Sequence, residues 1–165
     1  MRIKTVQKRR RRENKTDYLA RLKLLKSEKP RLVFRKSNQH VVAQYVISEE
    51  AKDKIIFGFT SKVLLKHGWP KDFKGSLKSI PASYLFGYFI GKEIQKRKLE
   101  KPILDFGMIR TIHKTKPFAF LKGLIESGME IICDEKAFPE EERIRGKNLK
   151  KDFSKNFEEI KSKLN

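Results

Sequence analysis

Three apolar runs with strand character, Arg31–Lys36, Val41–Ile47 and Lys54–Phe59, follow one another with very little chain between them. Ser37-Asn38-Gln39-His40 joins the first pair and Ser48-Glu49-Glu50-Ala51-Lys52 the second. A parallel pairing needs a crossover of about a dozen residues or more, so polar links this short permit only hairpins. The spacing therefore predicts an antiparallel three-strand meander, onto which the rest of the chain must build.

Beyond residue 59 the chain alternates between helix and strand patterns. Thr60 to Ser79 reads as a polar, Lys-rich loop around His67-Gly68-Trp69-Pro70, and loops of that length are commonly functional. Pro81 suits the first turn of a helix running to Lys98, with Leu85, Phe86, Phe89, Ile90 and Ile94 on one face. Pro102–Phe106 is a short strand. A second helix starts at Pro117, turns Phe118, Leu121, Leu124 and Ile125 inward, and stops at Gly128. Met129–Cys133 is a last strand, with Cys133 as a buried thiol in a reducing, cytoplasmic setting. Gly87 and Gly91, one helical turn apart, present two bare backbone patches suited to close packing.

The order β-β-β-α-β-α-β predicts an α/β domain: a mixed sheet of the meander plus parallel strands, with crossover helices packed on it. It resembles the ribonuclease H-like topology. Phe153, Phe157, Ile160 and Leu164, spaced by four, three and four, predict a helical tail docked on the same core.

Charge divides the chain differently. Of 40 Lys and Arg, fifteen lie in the first forty residues, opposed only by Glu13, Asp17 and Glu28, so this quarter carries +12 of the formal net +20. Lys8-Arg9-Arg10-Arg11-Arg12 cannot bury and in isolation should be extended and disordered. Lys15 to Ser27 places Tyr18, Leu19, Leu22 and Leu25 at helical spacing, with Thr16 as cap, Asp17 near the positive dipole end and Lys29-Pro30 as stop. Four segments result: a basic arm, 1–14, that orders on its partner; a basic amphipathic helix, 15–30; an α/β core, 31–135; and a helical tail, 136–165.

An arm of this sign needs a polyanion, and nucleic acid fits better than a membrane. No apolar stretch approaches the roughly 20 residues of a spanning helix, and no apolar run comes after the basic one as in a signal peptide. With one Cys and His40, His67 and His113 scattered, there is no zinc spacing and no metal or cofactor is expected. A structure-specific nuclease of this topology would need several carboxylates for metal ions. Asp105 stands at a suitable place, but the first strand offers Arg and Lys where its partner acid should be, so Asp105 is expected to cap a turn or pair with a Lys. A general nucleic-acid compactor would need only the charge. The first hairpin carries more than charge: Arg31, Arg35, Lys36, Ser37, Asn38, Gln39, His40 and Gln44 could address phosphate, ribose hydroxyl and base edges together.

These residues belong to a recognisable set. Arg9 through Tyr18, Arg21-Leu22-Lys23-Leu24-Leu25-Lys26, Pro30-Arg31-Leu32-Val33 and Arg35-Lys36-Ser37-Asn38 with His40 closely resemble the universal large-subunit ribosomal protein eighteen family in its archaeal and eukaryotic form. The likeness continues through Gly68-Trp69, Pro81-Ala82-Ser83-Tyr84-Leu85 with Gly87, Leu104-Asp105-Phe106-Gly107 and Arg145-Gly146. The resemblance implies a non-enzymatic ribosomal protein of the cytoplasm. It would bind 5S rRNA and help attach it to large-subunit rRNA in the central protuberance, beside the universal large-subunit protein five. It implies an RNA-contacting set of Arg9, Arg10, Arg11, Arg12, Lys15, Thr16, Tyr18, Arg21, Arg31, Arg35, Lys36, Ser37, Asn38 and His40. Gln44 on the second strand, with Arg143 and Arg145 near the C-terminus, completes the candidates.

Overall fold

The computed structural model describes residues 5–50, 52–70, 73, 77–149 and 152–164. The first four residues of the expected arm, one residue of the second hairpin link (51), five of the expected loop (71, 72 and 74–76) and three of the expected tail (150, 151 and 165) lie outside them.

Strands β1 (Arg31–Lys36), β2 (Val41–Glu49) and β3 (Lys52–Thr60) form the expected meander, both pairings antiparallel. Helix α1 is Arg9–Arg12 and α2 is Tyr18–Lys26. Helix α3 (Ile80–Lys96) then crosses over to β4 (Ile103–Asp105), which pairs parallel with β1 and gives the sheet order β3-β2-β1-β4. Helices α4 (Lys116–Glu126), α5 (Glu141–Arg145) and α6 (Ser154–Leu164) complete the chain. No helix among the described residues is long and apolar enough to cross a membrane.

Alternation assigns the two faces of the sheet. Leu32, Phe34, Val41, Ala43 and Tyr45 turn inward and are almost wholly buried. Over them lie α3 and α4, with Phe34 against Phe120 (4.8 Å between ring centres) and Phe59 edge-on to Phe89 (5.2 Å). The two helices approach through their glycines. A Cβ on Gly87 would sit 2.1 Å from the Phe120 carbonyl oxygen, one on Gly123 2.1 Å from that of Tyr84, and one on Gly91 1.8 Å from the Ser127 hydroxyl. The close packing expected of Gly87 and Gly91 is thus what they provide, with Gly123 answering from the facing helix.

The C-terminal helix is part of this core. Phe153, Phe157, Ile160 and Leu164 are buried, each contributing roughly 1.5–3 kcal/mol relative to exposure. Phe153 lies against Trp69 and Phe157 against Tyr84. Lys161 ties α6 down by donating to the Tyr84 hydroxyl (2.8 Å) and to Glu126 (2.9 Å), while Tyr84 donates to Glu126. Burial, reinforced by the Glu126 charge, pushes the Tyr84 phenol far above its ordinary value.

Several expectations need correction. Met129–Cys133 forms no strand: Ile132 is fully exposed and Cys133 half-buried, its thiol donating to the Asp134 carbonyl (3.7 Å). The ribonuclease H-like order is therefore not completed, and the sheet has one parallel pair. The start of the expected Thr60–Ser79 loop is a 3₁₀-helix, Ser61–His67. Its Ser61 hydroxyl accepts from the Val41 amide and donates to the Leu77 carbonyl, and Leu64, Trp69 and Leu77 join the core. At the other end, residues 9–12 make a single helical turn.

Candidate nucleic-acid interface

The outward face of the sheet is organised by charge. Arg31 and Arg35 on β1 point away from the core, as do Gln44 and Ser48 on β2, Asp53 on β3 and Asp105 on β4. Arg31 is only 2% exposed. It donates to Asp105 (3.2 Å), Ser48 (2.9 Å) and Asp53 (2.7 Å), while its Nε is buried without an acceptor. Within the protein its charge is therefore met by Asp105 and Asp53.

Arg35 is tied by the same acid. It donates to the Asp105 carbonyl (2.7 Å), the Asp105 carboxylate (3.2 Å) and the Phe34 carbonyl (2.8 Å). Gly107 makes this possible: its φ is +60°, its amide donates to Asp105 (2.8 Å), and a Cβ there would lie 2.8 Å from the Arg35 guanidinium carbon. Asp105 thus ends a strand and holds two arginines. The expected lysine partner is replaced by Arg31 and Arg35, and a carboxylate so engaged is poorly placed to serve a metal ion.

Helix α2 is fastened to this face. Asp17, not Thr16, caps it, accepting from the Leu19 and Ala20 amides (3.1 and 3.2 Å). Those bonds, with Arg11 close by, outweigh burial and hold the Asp17 carboxyl below its ordinary range. Arg21 donates to Asp53 (2.9 Å), linking the helix to β3. Burial raises the Asp53 carboxyl, but hydrogen bonds from Ser48, Arg21 and Arg31 more than reverse it. The helix expected from the spacing is present, but its apolar stripe stays open: Leu19 is 64% and Leu22 50% exposed, and no residue of α2 is buried.

Ahead of α2 the arm folds back. Arg11 reaches Asp17 (3.1 Å) and donates to the Met108 sulfur (3.5 Å), and Arg10 donates to the Thr16 hydroxyl (2.9 Å). Lys15 pairs with Glu13 (2.8 Å), and Lys8 lies over the Tyr18 ring (4.8 Å). Arg9, Arg10, Arg12 and Lys15 remain exposed. Between arm, α2 and β4 runs a groove of about 440 Å³ lined by Arg10, Lys15, Thr16, Arg21, Arg35 and Gly107 among others.

The first hairpin uses part of its expected chemistry on itself. Ser37 accepts from the His40 amide (3.0 Å) and donates to the His40 carbonyl (2.7 Å), leaving Asn38 and Gln39 exposed at the tip. His40 Nδ1 is buried without a partner. Lys36 and Arg143, far apart in sequence, line one cavity together with Arg110, Lys114 and Lys116. Those last three were missed because a Lys- and Thr-rich loop looks like ordinary solvated chain. Arg145 lies apart, at a cleft with Tyr84 and Lys161, between Glu141 (3.8 Å) and Glu158 (3.6 Å).

Residues 2–101 match the family model described as ribosomal large subunit proteins 60S L5, and 50S L18. The chain is also similar to the large ribosomal subunit protein uL18 of Korarchaeum cryptofilum (strain OPF8), 39% identical over 141 residues, which cover 86% of this chain and 70% of the relative.

Proposed function

Because the chain belongs to this family of large-subunit ribosomal proteins, we propose that it binds 5S rRNA and helps attach it to large-subunit rRNA in the central protuberance. The family is one of cytoplasmic ribosomal structural proteins and not of enzymes. In this reading its neighbours there include the universal large-subunit protein five.

The supporting observation is a division of labour among the cations. Arg11, Arg21, Arg31 and Arg35 each meet a carboxylate, fixing arm and helix to the domain. Arg10, Arg12 and Lys36 stand outward beside them, as do Arg9 and Lys15, which share only the arm's own Glu13, with the Asn38–Gln39 tip nearby in the chain. A pre-placed set of phosphate-binding groups next to groups able to read ribose and base edges suits a folded RNA more than an arbitrary polyanion. The arm, residues 1–14, settles fully on RNA, and Arg31 acts by orienting the contacting set.

Titration of labelled archaeal 5S rRNA at varied salt tests this. If about six to ten phosphates are engaged, affinity falls about a thousandfold or more between roughly 50 and 200 mM salt. A slope near zero would sink the arm mechanism. Deleting Met1 to Arg12 should weaken binding to every RNA while keeping the preference for 5S rRNA. Charge-removing changes at Arg35 and Lys36 should erode the preference itself.

A further inference from the structure

We propose that the cavity of about 350 Å³ between the end of β1 and the start of α4 receives one unstacked nucleotide of the bound RNA, its phosphate among the rim cations and its base on the apolar floor. The proposal rests on the RNA-binding reading above and adds a site to it.

Lys36, Arg110, Lys116 and Arg143 converge at the rim, and among the described residues none of the four has an ion-pair partner. Lys114, also at the rim, is paired with Glu140 (2.9 Å). The floor is Ile80, Ile109 and Pro117 over Phe34. Glu140 offsets Lys114 and, from farther off, Arg143, but folding alone gains little from gathering the rest. Lys116 occupies the first turn of α4, where the dipole disfavours a cation, and no acid stands in that turn to offset it. Thr115, placed to cap the helix, donates its hydroxyl to the Ile112 carbonyl (2.5 Å) instead. Burial, with Lys36 and Lys78 close by, holds the Lys116 ammonium below its ordinary pKa. An anion in the cavity would be attracted both by these cations and by the uncapped start of α4, offsetting their mutual repulsion and the burial of Lys116.

The floor narrows the anion. Phosphate alone needs donors and water, whereas this cavity has the apolar lining and size of a site for an organic group. A base splayed out of its stack can lie on apolar or guanidinium surface while its phosphate meets the lysines. The location also suits RNA already held by the arm. Gly107 underlies Arg35 and Met108 accepts from Arg11, and the next two residues, Ile109 and Arg110, line the cavity.

Two variants of the full-length protein separate charge from floor, with labelled 5S rRNA titrated at several salt concentrations and thermal melting as the check on folding. R110Q/K116M should bind about tenfold more weakly near 150 mM salt, with a log–log salt slope smaller by about two. Its melting temperature should hold or rise, because like charges are removed. I109S should weaken binding about fivefold or more at every salt with the slope unchanged. Wild-type affinity in folded I109S would overturn the nucleotide pocket, as would an unchanged slope in R110Q/K116M, while 5S binding itself stood. Failure of the unaltered protein to bind 5S rRNA would overturn the underlying reading and the pocket with it.

Discussion

The two faces of the sheet are made by alternate residues of the same strands, yet they are held by opposite means. Leu32 and Phe34 are sealed beneath α3 and α4 by shape; Arg31, beside Leu32 on the same strand, is equally inaccessible but is sealed by Asp53, Asp105 and Ser48. Apolar burial is non-directional and supplies most of the stability. A buried ion network roughly repays its own desolvation, so its gain lies in orientation: it sets where Arg35 and α2 sit. One face makes the domain fold; the other fixes where its surface arginines and α2 sit.

The sharpest way to break that contrast is to disturb the inner side where it has no slack. Gly123→Ala puts a Cβ 2.1 Å from the Tyr84 carbonyl oxygen and 2.8 Å from the Tyr88 amide nitrogen, both backbone atoms that cannot swing aside. The helix gains under about 1 kcal/mol of propensity and loses its packing distance. We expect urea denaturation to show a net loss of about 3 kcal/mol or more. A loss below about 1 kcal/mol would mean that α3 and α4 do not approach as described.

On the outer side, Arg31→Ala leaves Asp105 buried beside a void and should cost about 3 kcal/mol. Arg31→Met, which fills the volume, should cost less while still lowering 5S rRNA affinity, because Arg35 and α2 lose their shared anchor. If the methionine variant bound RNA like wild type, the outer network would be a stability element only, and the contrast between the faces would collapse.

The parts of this arrangement legible in the sequence are those that local pattern controls. Hairpins could be read from link length, and a close-packed helix face from Gly87 and Gly91, though not which element packs there. The network was hidden because Arg31 and Asp105 meet only when β4 docks parallel to β1, a pairing of residues far apart in the chain. Periodicity also located α2, but spacing does not say what covers a helix, and Leu19 and Leu22 stay exposed. Met129–Cys133 has strand composition yet no strand partner, and composition cannot supply one. The cavity needed β1, the 106–116 loop and α5 brought together before its cations could be seen as a group.

The smallest effect separates anchoring from stability most cleanly. Asp53 has a folded-state pKa below its ordinary value because Ser48, Arg21 and Arg31 outweigh burial. A carboxyl shifted this way stabilises the folded state above its unfolded pKa and stops doing so as pH falls through the lower folded value. Its contribution is therefore complete at neutral pH and lost on the acid side of about pH 4. The Asp53 side chain is 32% exposed and asparagine keeps an acceptor for Arg31, so Asp53→Asn should cost less than about 1 kcal/mol at about pH 7. The wild-type and variant curves of stability against pH should then converge in acid. At neutral pH the Arg21 link to β3 is weakened in the variant, and amide exchange in α2 should speed up while that in β1 and β2 does not change. Equal acceleration in all three would show that Asp53 supports the sheet as a whole, and the outer face would then be a continuation of the core instead of a mount for the arm.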